Sequence, residues 1–393
     1  MKLKVIIFIS IFFIFYLLIN YYIGFKVFTG ISLKYTLNSK VFWIFFWFIS
    51  LAYIMSRLLI SYLPGAILSV FTLIGVYWLA ILFYLLLIFP FIDLVRAINK
   101  KLNFIPSKYL IPNNLSVALV FIISLMIFFI IIYGTWNGRN AYVKNYEITI
   151  NKDSLKIKDL NVIMVSDIHL GDLIENNRLN KMVEQINSLK PDVVFIAGDV
   201  VDNELQPFIE GKMAQQFSNI KSNYGVYASL GNHDFMGENQ DRITEELRNA
   251  GVTVLRDEAI VVDSGFIVAG RDDISINRIG IGRKDLDEIL RNYNKSMPLF
   301  VLDHNPSSIK ESEEAGIDLQ FSGHTHKGQF FPNNLITKGI FEVDYGYLKK
   351  GDFNVIVSSG YGTWGPPIRI GSRSEIVNLK IKFQNNNQLT EHN

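Results

Sequence analysis

Five histidines carry the chemical argument in this sequence. His169, His233, His304, His324 and His326 each follow a short apolar run or sit inside a Gly-flanked loop, always in polar company. The segments read Asp167-Ile168-His169, Gly231-Asn232-His233-Asp234, Asp303-His304-Asn305-Pro306 and Gly323-His324-Thr325-His326, with Gly198-Asp199 between the first two. A lone loop histidine is more often a hydrogen-bonded structural residue than a ligand. Several of them in loops that can meet are a different matter. Imidazole, carboxylate and amide oxygen together suit Mn, Fe or Zn, and Asp167, His169, Asp199, Asn232, His304, His324 and His326 exceed what one tetrahedral ion takes. Two divalent ions sharing a bridging carboxylate account for the surplus. On extended backbone the first and third residues of Asp-x-His and His-x-His point to one side, so both can serve one site.

The elements that must position these residues are legible around them. Val162 to Val165, Val193 to Ile196, Gly225 to Leu230 and Phe300 to Leu302 read as buried strands. Asn177 to Leu189, Asp241 to Ala250 and Asp285 to Tyr293 read as the intervening helices. In a sheet of parallel strands the carboxyl ends gather along one edge, which lets loops from distant positions converge on one cleft.

That alternating texture begins only near residues 137 to 145. Before it, apolar residues form four runs, approximately Val5 to Tyr22, Val41 to Tyr62, Ala66 to Leu94 and Val117 to Trp136. Each has about the 18 or more residues needed to cross a hydrocarbon core. Tyr21, Tyr22, Trp43, Tyr62, Tyr133 and Trp136 stand near the ends, where amphipathic rings favour the headgroup layer. Lys2 and Lys4 precede the first run as in a signal peptide, but no small-residue cleavage pattern follows Ile23 and three more runs do. The expected organisation is a four-helix membrane anchor over 1–140 and a hydrolase domain over 141–393, ending in a polar tail from Gln384.

Composition agrees with a membrane portion: half of the 393 residues are hydrophobic. With no cysteine, disulfide scaffolds, thiolate zinc sites and cysteine nucleophiles are excluded. The 38 Lys and Arg nearly balance 36 Asp and Glu, and no basic tract points to nucleic acid, while the apolar runs make a lipid bilayer the expected partner. Four spans put both ends on one side. Lys26, Lys34, Lys40, Arg96, Lys100, Lys101 and Lys108 flank the spans on one side, against Lys2, Lys4, Arg57, Arg139 and Lys144 on the other. By the positive-inside rule, seven against five places the hydrolase domain outside the cytoplasm.

The ordered motifs Asp-x-His, Gly-Asp, Gly-Asn-His-Asp, His and Gly-His-x-His resemble the calcineurin-like metallophosphoesterase superfamily over approximately residues 160 to 383. The downstream Gly360-Tyr361-Gly362-Thr363-Trp364-Gly365-Pro366-Pro367-Ile368-Arg369 and Glu375-Ile376 are similar to a bacterial, membrane-associated phosphodiesterase branch. That branch usually reads Gly-His-Thr-His-Gly-Gly-Gln, whereas Lys327 stands here for a glycine, either adding charge beside the cleft or lying solvated at the surface. The resemblance implies a four-layer α/β/β/α sandwich and a two-metal hydrolase acting by activated water. It implies one ion on Asp167, His169 and His326, the other on Asn232, His304 and His324, and Asp199 bridging. His233 is then the acid beside the phosphate, with Asp234 orienting it. Asp202 is expected as a turn cap. Arg369 is a candidate phosphate contact, with a structural salt bridge as the alternative. The expected function is phosphodiester cleavage in a lipid or cell-envelope substrate, the alternatives being a phosphomonoesterase or a non-catalytic module that keeps the metal cage.

Overall fold

The computed structural model describes residues 2–60, 62–106, 116–152, 154, 157–280 and 282–384. Lys108 and the tail beyond Gln384 lie outside them. The chain divides into two compact units, Met1–Gly134 and Thr135–Asn393.

Four helices are long and apolar enough to cross a membrane: α1 (Lys2–Ser32), α2 (Ser39–Leu58), α3 (Gly65–Leu102) and α4 (Val117–Arg139). Each of the four expected spans is helical over most of its length, with α2 ending at Leu58, short of Tyr62. α1, α3 and α4 run further than the apolar pattern implied. α1 continues to Ser32 because Lys26 has a partner: its Nζ lies 2.6 Å from Asp93 Oδ1 of α3, and the Tyr22 hydroxyl donates to Asp93 Oδ2 at 2.7 Å. Such pairing is what makes charge tolerable within apolar helices. α3 continues past Leu94 to Leu102 and stops at Asn103, which takes a left-handed φ of 48°. Gly75 lets α3 approach α2 closely, since a Cβ there would fall 2.3 Å from the Tyr53 amide nitrogen.

The described residues of the second unit form twelve strands in two sheets. They are β1 (Tyr142–Ile150), β2 (Asp159–Val165), β3 (Val193–Ala197), β4 (Val226–Ser229), β5 (Val252–Val254), β6 (Glu258–Val262), β7 (Phe266–Gly270), β8 (Leu299–Leu302), β9 (Leu319–Ser322), β10 (Gly346–Lys350), β11 (Phe353–Val357) and β12 (Glu375–Phe383). One sheet has the order β1-β12-β2-β3-β4-β5, the other β10-β11-β9-β8-β7-β6. The pairs β12–β2, β6–β7 and β10–β11 are antiparallel and the remainder parallel.

Side-chain alternation along the strands separates three apolar layers. Val162, Met164, Phe195, Phe300, Leu302 and Phe321 meet between the sheets. Their neighbours Ile163, Val165, Val194 and Ile196 face outward onto Leu179, Met182, Val183 and Ile186 of α5 (Asn176–Ser188), whose spacing sets one apolar stripe on the helix. On the other side Ile267, Leu299, Val301 and Val355 pack on Leu286, Ile289 and Ile309. The result is the expected helix, sheet, sheet, helix stack. The helix expected over Asp285 to Tyr293 is shorter, Leu286–Leu290, because the Tyr293 hydroxyl is tied to the Ala259 carbonyl as the chain turns back toward β8. Parallel register, with Val162 opposite Val193 and Val194 opposite Val226, brings the carboxyl ends of β2, β3 and β4 level. The loops that follow them carry the histidine motifs.

Candidate metal centre

The loops after β2, β3 and β9 are bent backbone. Asp167, His169, Asp199, His324 and His326 have φ of 50°, 53°, 51°, 69° and 48°. This left-handed region is strained for non-glycine residues, and such strain concentrates at functional sites. It also corrects the extended-backbone argument: Asp167 and His169, like His324 and His326, share a site because successive residues are turned back. Hydrogen bonds from Asp167 N to Gly198 O at 3.0 Å and from His169 N to Asp199 O at 3.1 Å lock two of these loops together. Three glycines make room for the ligands. A Cβ on Gly231 would fall 2.2 Å from Asp199 Oδ1, on Gly323 2.2 Å from Asp167 Oδ2, and on Gly198 2.5 Å from His304 Nδ1.

All seven expected ligands converge. Asp167, His169 and His326 form one group whose donor atoms lie within 4.8 Å of each other, and Asp167, Asp199 and His304 form a second. His304 Nε2 is 3.1 Å from Asp199 Oδ2, and His324 Nδ1 is 2.7 Å from Asn232 Oδ1. The rings of His304 and His324 lie 5.3 Å apart, which joins Asn232 and His324 to the same cluster. The donor set fits divalent cations on a second count. His304 Nδ1 contacts the Ala197 carbonyl at 2.8 Å, while its Nε2 is turned into the cluster against the Asp199 carboxylate. A carbonyl on one ring nitrogen leaves the other free to ligate, as in established metal sites.

The electrostatics match a site that expects cations. Burial disfavours charge on Asp199, but His304, His169 and His233 outweigh it and hold its carboxyl well below the usual carboxylate range. Burial likewise opposes charge on His304, yet Asp199 and Asp167 hold that imidazolium well above its ordinary value. His326 goes the other way, pushed down by burial, Arg369 and His169.

The remaining expected site residues need correction. His233 is at the centre, grouped with His169 and Asp199. Its orienting partner is not Asp234. The Asp234 carboxylate accepts from the backbone amides of Gly231 at 2.9 Å, Val201 at 2.9 Å and Val200 at 3.2 Å, so it braces two loops. Burial and the nearby Asp199 charge push it up to about 6. His233 Nδ1 instead meets Asn203 Oδ1 at 2.9 Å and Asp202 Oδ1 at 3.4 Å. Asp202, expected as a turn cap, also lies 3.6 Å from His169 Nδ1. Arg369 is fully buried and holds neither a phosphate position nor a salt bridge. Its guanidinium donates to Gly362 O at 2.6 Å and Gly360 O at 3.3 Å, and to His326 Nδ1 at 3.1 Å. It positions the ring of His326, one of the candidate ligands. Lys327 lays its ammonium 4.2 Å from the centroid of the Tyr345 ring.

Asn203 and Arg283 are residues that sequence reasoning missed. Arg283 makes a two-pronged contact with Asp303, 3.1 and 2.5 Å, directly before the ligand His304. The only signal for Asp303 was its place next to that histidine. Arg283 had none.

The calcineurin-like phosphoesterase family profile matches residues 160–328. An uncharacterised metallophosphoesterase of Campylobacter jejuni is 31% identical over 309 residues, 77% of this chain and 78% of that one. One from Aquifex aeolicus is 34% identical over 266 residues, 66% of this chain and 100% of the other. A zebrafish (Danio rerio) transmembrane protein with a metallophosphoesterase domain is 30% identical over 64% of this chain and 60% of its own.

Proposed function

The chain belongs to the calcineurin-like metallophosphoesterase family and is a phosphoesterase hydrolase; from that premise we propose that it is a multi-pass membrane enzyme whose two-metal centre cleaves a phosphodiester of a lipid or cell-envelope molecule. The observation that carries this reading is the meeting of seven His, Asp and Asn donors in one cluster.

Asp167, His169 and His326 would hold one divalent ion and Asn232, His304 and His324 another, with Asp199 available to both. Such ions would supply Lewis acidity toward the phosphoryl group and toward the attacking water. Arg369 fixes His326, and Asp234 fixes the loops that present Asn232 and Asp199. With Nδ1 on Asn203, His233 keeps Nε2 for the proton that the departing oxygen takes up. The Asp202 carboxylate balances positive charge on that ring.

Attachment supports a substrate that resides at the bilayer, because tethering raises its local concentration. The hydrolase faces the extracytoplasmic side in this reading. Pairing of Lys26 with Asp93 removes one cation from the seven, leaving six against five and the same orientation. Protease added to intact cells should release the domain; protection until lysis reverses the orientation. For the activity, the full-length protein in detergent is assayed with each of Mn, Fe and Zn on a soluble chromogenic diester, the matching monoester and phospholipids. Diester turnover above monoester turnover is expected, and no hydrolysis with any metal defeats the reading.

A further inference from the structure

The metal centre is bordered by apolar side chains that a water-facing enzyme would bury. The helix Asn333–Ile340 buries none of its residues, and Leu335, Ile336 and Ile340 are 62%, 59% and 69% exposed. Phe331 just before it is 50% exposed, and Trp364 is 54% exposed. Scattered single apolar residues are ordinary, but a helix that turns three of them outward beside a reactive site is not.

This rim is tied to the ligand loops at several points. A Cβ on Gly328 would fall 2.3 Å from the Asn334 amide, so the helix starts directly on the turn that follows His326. At its other end the Phe341 ring lies 6.2 Å from the His324 ring. The Trp364 ring is 6.4 Å from that of His233. Trp364 N donates to Gln329 Oε1 at 2.9 Å, and Gln329 Nε2 donates back to Trp364 O at 2.7 Å, which joins the Trp364 loop to the start of the helical segment.

We infer that Phe331, Leu335, Ile336, Ile340 and Trp364 form a surface by which the hydrolase unit itself rests in the headgroup layer of a bilayer, so that the phosphoester entering the metal centre belongs to a membrane lipid. The inference rests on the phosphoesterase reading above and adds a contact independent of the four apolar helices.

The occupant is argued from where the chain enters this unit. Residues 136–139, the end of the apolar helix α4, pack on the loop that carries Trp364. Gly138 O accepts from Arg178 Nη2 at 2.5 Å and from Ser374 Oγ at 2.8 Å, and Asn137 Nδ2 donates to Arg369 O at 3.3 Å. The Arg373 guanidinium covers the Trp136 ring at 4.7 Å. Chain leaving a helix of membrane length is thus fastened to the same loop as the exposed tryptophan. Lys338 on the helix adds a cation suited to anionic headgroups. A tryptophan and short aliphatic side chains with an adjacent lysine are the composition of an interfacial surface.

The protein contains no cysteine, so single labels are simple to place. Full-length Ile336→Cys and Leu335→Cys, each carrying an environment-sensitive fluorophore, are reconstituted into vesicles of phosphatidylcholine and phosphatidylglycerol that contain acyl-chain nitroxide lipid. Val261→Cys, at a 49% exposed position on β6, is the control. Blue-shifted emission and severalfold stronger quenching than at Val261 are expected. In parallel, Leu335→Ser, Ile336→Ser and Ile340→Ser combined should lower hydrolysis of a vesicle phospholipid about tenfold, with turnover of a soluble chromogenic diester unchanged. Quenching no stronger than at Val261, or equal loss on both substrates, overturns the inference. Wild-type protein inert on the soluble diester would instead defeat the phosphodiesterase reading, since fluorophore quenching does not depend on turnover.

Discussion

The Nε2 atoms of His169 and His326 face each other at 3.1 Å, with their ring planes 25° apart. Two ring nitrogens this close suit a shared proton or a cation that both can face. Arg369 donates to His326 Nδ1 and, with burial, keeps the ring neutral, while burial of His169 is outweighed by Asp202 and Asp199, which raise its affinity for a proton.

Metal uptake should accordingly displace protons. Against the effect of burial, Asp199 and Asp167 hold His304 above its ordinary value of 6.5, so its proton must leave before the ring can ligate. Affinity for a divalent cation should increase up to about tenfold per pH unit for each proton released. The linked stability has the opposite trend: a raised histidine stabilises the metal-free fold fully below its unfolded value and loses that contribution as pH rises through the folded one. Chelator-buffered titrations and melting curves between about pH 6 and about pH 9 read both. Elemental analysis should find up to two equivalents of transition metal, and Asp199→Ala should lose most of it; full loading and full activity in that variant would refute the bridging role.

His233→Ala should keep both ions and lose activity by about a hundredfold or more on a substrate with a poor leaving group. A nitrophenyl ester, whose leaving group needs little protonation, should suffer less. Asn203→Ala, which frees the ring without removing it, should give an intermediate loss. Metal content falling along with activity in His233→Ala would place the residue among the ligands.

The motif histidines were legible because chemistry-bearing side chains in Gly-flanked turns leave a local record, and the four strands singled out alternate or run apolar as buried strands must. The rest lacked such a record. β1 and β12 pair in parallel though 233 residues separate Tyr142 from Glu375, and no local pattern encodes a partner so distant. Arg369 read as a phosphate contact because a conspicuous cation in a Gly/Pro loop looks exposed. Only the fold shows it ringed by carbonyls of Gly360 and Gly362. Asp234 likewise stood beside His233 in sequence, but a sharp turn directs adjacent side chains apart, one into the site and one onto the backbone amides of Gly231, Val200 and Val201.

Arg369→Ala should act on stability and on the ion held by His326, not on substrate affinity. Removing the guanidinium leaves the Gly362 carbonyl without this donor in a fully buried setting, at a cost of about 1–3 kcal/mol, while the Gly360 carbonyl keeps the Glu375 amide. Differential scanning should show a lowered Tm, and saturating metal should restore part of the activity with KM near the wild-type value. A KM rise of more than about tenfold at full metal loading, with unchanged Tm, would return Arg369 to the substrate.

The hydrolase should work without its apolar helices, provided the cut respects the contacts at the unit's start. The seven donors and His233 all lie within the compact unit Thr135–Asn393. A chain beginning near Ala141 discards more than membrane helix. It removes Gly138 O, which accepts from Arg178 and Ser374, together with the Asn137 carbonyl that accepts from Ser374 N at 3.2 Å and the Asn140 carbonyl that accepts from Arg373 at 3.0 Å. Arg178 also donates to Tyr361 O at 2.6 Å, so its loosening reaches the loop that carries Gly360, Gly362 and Arg369. A chain from Thr135 should bind metal and turn over a small chromogenic diester at close to the full-length rate. One from Ala141 should do the same chemistry with a lower Tm, by roughly 2–4 °C per kcal/mol lost in a unit of this size. Hydrolysis of a vesicle phospholipid should fall in both, because tethering contributes local concentration and not catalysis. If the Thr135 chain folds and loads metal but is inert on the small diester, the apolar helices complete the active site and the two-module arrangement fails.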